Sequence, residues 1–198
     1  MTPLFGLVLA GGGSSRMRAD KAALAIGGRP QLDLAFELLA PRVAQAWVSV
    51  RPEQRAEPLR AARPQVVDEP GAAGPIAGIM AAQAAAPQAA WLVVACDLPL
   101  LDGATLDQLL AGRDASRLAT AFASAYDGLP EPLCAIYEPA SRAPIRQYVM
   151  AGGSCPRRFL DSHDIALLTP FNSHALDNAN TPEELAAARN ALSARGAA

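Results

Sequence analysis

"LVLAGGGSSRMRADKA", residues 7–22, sets an apolar run directly against three glycines, then two serines, two arginines, an aspartate and a lysine. The run reads as a strand buried on both faces. A strand that ends in glycines and runs on into a basic segment can turn several backbone N–H groups onto one anion. Glycine adopts positive φ there and presents no Cβ to the ligand. Lys21 and Arg16 add charge-assisted donors for the same anion. The segment is not a Walker A loop, because no Gly-Lys-Ser/Thr closes it. Nor is it Gly-x-Gly-x-x-Gly: Gly11 and Gly13 fit the first pair, but Arg16 stands where the third glycine belongs. The pattern points to phosphate binding at a strand end in preference to a solvated surface turn.

The rest of the chain extends this beginning. Ala46–Val50, Gln65–Asp68 and Trp91–Cys96 read as further strands, and Leu118–Ser124, Pro132–Tyr137 and Ile165–Thr169 as later ones. Helical patterns cover Gln31–Val43, Pro52–Ala62, Pro75–Ala86, Thr105–Leu110 and Pro139–Met150. "NTPEELAAARNALSARG", residues 180–196, opens with Thr181 as N-cap, Pro182 at the first helical position and Glu184 completing a capping box. Strands alternating with helices imply right-handed crossovers and a doubly wound sheet. The expected fold is α/β: a three-layer, Rossmann-like, mostly parallel sheet with helices on both faces. It forms a single domain over residues 1–198, with the second half supplying a lobe around the sheet's carboxyl edge.

Two further strand ends carry chemistry. "LVVACDLPLL", residues 92–101, stops a buried strand at Asp97, where ligands of open α/β sheets collect. A carboxylate there suits Mg²⁺ bridging protein and phosphate oxygens, and equally suits a cap on the next turn. "VVDEPGAAGPIAGI", residues 66–79, places Asp68 at a strand end, followed by Gly71, Gly74 and Gly78. That is enough small backbone for a nucleobase to pack closely, although a plain loop into a helix beginning at Pro75 also accounts for it.

Composition sets the outer bounds. With 51% apolar and 18% charged residues and a net charge of −2, the chain has no global attraction for nucleic acid or anionic lipid. No apolar run approaches the length of a membrane span, and Met1–Gly6 lacks the basic start of a secretion signal. The three cysteines, Cys96, Cys134 and Cys155, give neither disulfide framework nor metal spacing, and a reducing cytoplasm is expected. Cys96 reads as a small core residue. Trp47 and Trp91 are expected to pack beside the strands, and His163 and His174 to serve surface or capping roles. Arg157 and Arg158 follow a glycine turn and read either as a solvated helix start or as a basic wall.

Taken together, these segments resemble the molybdenum cofactor guanylyltransferases of the nucleotide-diphospho-sugar transferase-like superfamily. The resemblance rests on Leu9-Ala10-Gly11-Gly12, Ser14, Arg16-Met17 and Asp20-Lys21, then Gly74-Pro75-Ile76-Ala77-Gly78 and Cys96-Asp97-Leu98-Pro99. Asn178-Ala179-Asn180-Thr181-Pro182-Glu183-Glu184-Leu185 completes it. It implies transfer of GMP from GTP to molybdenum-loaded molybdopterin, with release of pyrophosphate and with Mg²⁺ as cofactor. On that basis Leu9, Ala10, Gly11, Gly12, Lys21, Ser49, Asp68, Gly74 and Asp97 would bind nucleotide. Arg16, Lys21 and Asp97 would be catalytic, Asp97 would hold the metal, and Asn178 and Asn180 would face the pterin. Molybdenum-cofactor assembly proteins and apo-molybdoenzymes are the implied partners, with no nucleic acid and no membrane.

Arg18 departs from the family, which carries glycine there, and Ser49 stands where some members have asparagine. The alternatives are a related cytidylyltransferase, a sugar-phosphate nucleotidyltransferase, or a non-catalytic nucleotide- or molybdopterin-binding protein with a degenerate loop. A dinucleotide-binding dehydrogenase is disfavoured by the missing third glycine, and by Ser49 and Arg51 where an acidic strand end would stand.

Overall fold

The computed structural model describes residues 2–11, 20–179 and 181–196. The chain begins with β1 (Leu4–Leu9), a hairpin of β2 (Ala25–Ile26) and β3 (Arg29–Pro30), and α1 (Gln31–Leu39). It continues through β4 (Ala46–Val50), α2 (Pro58–Ala61), β5 (Gln65–Val67), α3 (Pro75–Ala85) and β6 (Ala90–Ala95). The second half supplies α4 (Gly103–Ala111), β7 (Ala119–Ala123), β8 (Pro130–Tyr137), α5 (Arg142–Met150) and α6 (Pro156–Asp161). It closes with β9 (Ala166–Leu168) and α7 (Pro182–Gly196).

Seven strands form one sheet in the order β5-β4-β1-β6-β8-β7-β9. The pairs β5–β4, β4–β1 and β1–β6 are parallel, β8 runs antiparallel to both its neighbours, and β7–β9 is again parallel. Six strands therefore point one way, as the expected mostly parallel sheet requires. β6 is buried at every position, and its side chains alternate between two cores. Leu92 and Val94 pack with Val8, Val48, Leu32 and Leu39 of α1, and Leu106 and Leu109 of α4. Trp91 and Val93 pack on the other face with Leu7, Ile76 and Ile79 of α3, Ile145 of α5, and Phe159 and Leu160 of α6. These are the three layers. Among the described residues no helix is long and apolar enough to cross a membrane.

Several elements differ from the sequence expectation. The segment Pro52–Ala62 is not one helix: a 3₁₀ turn at Pro52–Gln54 precedes a separate short α2 that starts at Pro58. Proline has no N–H to continue the ladder of the preceding turn, so each proline opens a turn of its own. For the same reason α1 tightens into a 3₁₀ turn at Ala40–Arg42, around Pro41, instead of running to Val43. Likewise Pro139–Ser141 is a 3₁₀ turn ahead of α5. The β2–β3 hairpin was not expected, although its Gly27-Gly28 turn, with φ of +57° and +80°, is of the type that demands glycine. Trp91 is fully buried, whereas Trp47 is half-buried against the same core.

The expected C-terminal capping box is present. Glu184 N–H donates to Thr181 Oγ1 at 3.1 Å, and Thr181 N–H to a Glu184 carboxylate oxygen at 3.1 Å.

Close contact between α3 and the sheet depends on Gly78. A Cβ added there would lie 2.3 Å from Ser49 Oγ and 2.8 Å from Leu9 Cδ2. In an open helix, Gly→Ala stabilises by about 1 kcal/mol. Here overpacking, which costs about 1–3 kcal/mol, opposes and exceeds that gain. Gly78→Ala is therefore expected to lower Tm in calorimetry, and a raised Tm would show that α3 can move off the strand. Burial also pushes the Cys96 and Cys134 thiols up to about 12, while Cys155 is half-buried. At pH 8 a thiol reagent is expected to modify Cys155 alone, and all three cysteines only after unfolding.

Candidate functional site

The parallel strands β5, β4, β1 and β6 all end on one edge, and strand order reverses direction on either side of β1. This is the crevice where open α/β sheets bind ligands. Its floor is stitched by backbone hydrogen bonds: Cys96 N–H donates to Leu9 C=O at 3.2 Å, and Ala10 N–H to Ser49 C=O at 3.3 Å.

Over this floor Lys21 Nζ lies 2.7 Å from an Asp97 carboxylate oxygen, and each side chain is only 16% exposed. The pair joins the residue that follows Asp20 to the chain just beyond β6, so the far side of the glycine-rich segment faces this carboxylate. Lys21 is the only lysine among the chain's 17 lysine and arginine residues. In a sequence that otherwise uses arginine, the compact ammonium is kept at the one place where it meets this carboxylate. Arginine would place a larger planar fork there.

Beside the pair, Ser49 is buried and its hydroxyl donates to Asp68 Oδ1. The other Asp68 oxygen lies 3.0 Å from where a Gly11 Cβ would be. In this arrangement Ser49 orients Asp68, and Asp68 is the member of the two that faces the loop. Gly74 caps α3, whose N-terminal end lies at the same edge with the positive end of its dipole.

A third wall comes from the end of the chain. Ala179 N–H donates to the Asp97 carbonyl at 3.1 Å, which fastens the segment carrying Asn178 directly to the end of β6. Beyond it opens a cleft of about 680 Å³ lined by residues that include Tyr126, Glu131, Arg157, His174, Asp177 and Asn178. Arg157 bridges Asp127 at 2.9 Å and Glu131 at 2.8 Å. Tyr126 O–H donates to Asp177 at 2.8 Å, and His174 Nδ1 lies 2.9 Å from the same carboxylate. Arg157 thus stands on a cleft wall, at the start of α6, where it is paired and not merely solvated.

The family model of the MobA-like NTP transferase domain matches residues 6–166. The chain belongs to this family.

MobA-like NTP transferases are nucleotidyltransferases. A molybdenum cofactor biosynthesis bifunctional protein of Synechocystis sp. is 36% identical over 184 residues, covering 92% of this chain and 53% of that protein. The chain thus spans about half the length of that relative. A molybdenum cofactor guanylyltransferase of Cereibacter sphaeroides is 33% identical over 197 residues, covering 96% of this chain and 97% of the relative. The crystal structure of molybdopterin-guanine dinucleotide biosynthesis protein A from Archaeoglobus fulgidus superposes with a TM-score of 0.81 at 24% identity. It covers 96% of this chain and 99% of that one, and shares its fold.

For this MobA-like chain, the structure brings Leu9, Ala10, Gly11, Lys21, Ser49, Asp68, Gly74 and Asp97 to one crevice, with Asn178 at its rim. Gly12, Ser14, Arg16, Met17, Arg18 and Asn180, also singled out in the sequence, lie outside the described residues. Two residues at the crevice were given no site role from the sequence: Arg51, named there only for not being acidic, and Arg60. Arg51 acts on the Asp68 carboxyl through its charge, and Arg60, fully buried, reaches both Ala10 and Asp20. No local pattern marks Arg60, because its partners are remote in sequence.

Burial pushes the Asp68 carboxyl up from its ordinary 3.8, although the Ser49 hydrogen bond and the Arg51 charge favour the carboxylate. The folded state therefore holds this proton to higher pH than the unfolded chain does. Stability present below the unfolded pKa is lost as pH rises through the raised folded value. Asp68→Asn keeps an oxygen for Ser49 and removes that loss. The variant is expected to melt at higher temperature than the parent at pH 7, with the difference vanishing below about pH 3.8. Calorimetry at both pH values checks this, and a variant less stable at pH 7 would contradict it.

Proposed function

We propose that the chain transfers GMP from GTP to the terminal phosphate of molybdenum-loaded molybdopterin, giving the guanine dinucleotide form and pyrophosphate. The observation that carries this reading is the Ala179–Asp97 hydrogen bond. It fastens the segment bearing Asn178 to the backbone carbonyl of Asp97, and on this reading that segment would be the acceptor side and the Asp97 carboxylate would face the nucleotide. On this reading the N-terminal half holds GTP, while the C-terminal half, with Asn178, Asn180 and the cleft beside Arg157, holds the pterin.

The chemistry asks for alignment and charge neutralisation. An oxygen of the acceptor phosphate, already an anion at neutral pH, forms the new bond to the α-phosphorus. The bond from the α-phosphorus to the bridging oxygen breaks, and pyrophosphate leaves with that electron pair. No strong general base is needed. Lys21, held beside Asp97, would donate to the phosphate oxygens of the bound nucleotide from that position. Arg16 would add a second cation from the glycine-rich segment. Asp68, held by Ser49, would accept hydrogen bonds from the nucleoside.

The hard donor this reading offers a metal is the Asp97 carboxylate, beside Lys21. That fits Mg²⁺, which is commonly held by one or two carboxylates together with phosphate and water oxygens. When bound at Asp97, the ion would neutralise charge on the departing pyrophosphate.

Pyrophosphate release with Mg²⁺ and molybdenum-loaded molybdopterin, measured for GTP, CTP and ATP in turn, tests the reading. Release with GTP alone is expected. Release with CTP alone would retain the site and overturn the base assignment, and silence with all three would favour a binding protein. Asp97→Asn is expected to lower kcat by about 10²–10³-fold while the chain still folds. Near-normal turnover in that variant would remove Asp97 from the mechanism.

A further inference from the structure

Arg60 is an arginine of short α2, with its side chain 1% exposed, and its partners explain why it is there. Its Nε and one terminal nitrogen donate to the Ala10 carbonyl at 3.1 and 2.6 Å. Its two terminal nitrogens grip both oxygens of Asp20, each at 2.7 Å. Glu57, one turn earlier, also pairs with it. Ala10 is the residue that follows β1, and Asp20 is the residue that precedes the 3₁₀ turn Lys21–Ala23. A single buried guanidinium thus joins the two residues that flank the glycine-rich segment.

Asp20 leads directly to Lys21. Its carboxylate caps the 3₁₀ turn Lys21–Ala23 by accepting from Ala22 N–H at 3.2 Å. Burial alone would raise the Asp20 carboxyl, but the Arg60 hydrogen bonds and charge, together with the Ala22 N–H and the Arg51 charge, hold it below its ordinary value.

We propose that Arg60 is a positioning residue: through Asp20 it fixes where Lys21 sits against Asp97, and through Ala10 it fixes that turn to the end of β1. Only arginine suits this task. Four acceptor atoms, one on Ala10, two on Asp20 and one on Glu57, suit the five donors of a rigid fork, whereas the three donors of a lysine ammonium radiate from one atom. Closing the ends of a segment also removes most of the conformations in which its flanks would drift apart. Lys21 then needs no further ordering when a phosphate arrives, which is the benefit of pre-organisation. Arg60 touches no reacting atom in this scheme. Its effect on turnover passes through Lys21.

The uniqueness of Lys21 makes the proposal testable without any substrate. Only Lys21 and the N-terminal amine can react with an amine-acylating ester, and peptide mass spectrometry separates them, the N-terminus serving as internal reference. Against the wild type, Arg60→Gln is expected to speed Lys21 acylation about tenfold, and Arg60→Lys by a smaller factor. Glu57→Gln, which leaves the Ala10–Asp20 link intact, is expected to change it less than twofold.

The kinetic arm rests on the guanylyltransferase reading. There Arg60→Gln is expected to lower kcat/KM for GTP at least tenfold, and to lower it no further once Lys21→Ala is present. A merely structural loss would instead multiply with Lys21→Ala.

A folded Arg60→Gln variant, melting cooperatively, with wild-type Lys21 reactivity overturns the proposal, and so do multiplying effects in the double variant. If Arg60→Gln does not fold, the same readouts are taken on Arg60→Lys. Failure of that variant to fold as well overturns the proposal in favour of a purely structural guanidinium. A wild type that releases no pyrophosphate would defeat the guanylyltransferase reading alone, since the labelling arm still decides the role of Arg60.

Discussion

Burial of β1 and β6 on both faces is the constraint from which the rest of the molecule follows. The two strands pair in register from Leu4 with Ala90 to Leu9 with Ala95, and helices cover both sides of them. Inside such a sandwich an unpaired polar side chain costs several kcal/mol, so the strands carry apolar residues almost throughout. Charge is displaced to where the strands stop. Asp97 comes two residues after β6, Asp68 directly after β5, and the glycine-rich segment directly after β1. The chemistry gathers at one edge because the middle of the sheet has no room for it.

Much of this was legible because two-sided burial writes itself plainly into sequence. Runs such as AWLVVA leave no alternation to misread, and a strand that ends abruptly in aspartate marks the functional edge. The capping box at Thr181 was equally legible, since capping is local chemistry within four residues. Elsewhere local pattern misled. Pro52, Pro58 and the residues between them have helical composition, and only the missing proline N–H divides them into two turns. The hairpin at Gly27-Gly28 carried its signal in the glycine pair, but its strands are too short to show a period.

The site was legible in its parts and not in its wiring. Asp68 and Asp97 announce themselves by residue type at strand ends, and Lys21 by its place after the glycine-rich segment. That Lys21 pairs with Asp97, that Ser49 stands behind Asp68, and that Arg60 holds Ala10 to Asp20 are all consequences of tertiary contact. Arg60 shows the limit most clearly. An arginine between leucine and alanine in a short helix looks like an ordinary surface residue, and its complete burial follows from acceptors supplied by a distant strand end and a distant turn. The scarcity of lysine is the opposite case: a signal in the bare composition that gains meaning only once the ammonium is seen against its carboxylate.

The hydrogen bond from Ala179 to the Asp97 carbonyl has a consequence for how the protein comes into being. Asp97 leaves the ribosome with the first half of the chain, together with β1, β4 and β5, which can already pair. The wall that completes the crevice arrives only with the last residues before α7. A nascent chain can therefore assemble the strand-end edge of the crevice while its third wall is still unmade. Whatever the half-formed protein meets at that edge, it meets before the segment carrying Asn178 is there to close over Asp97.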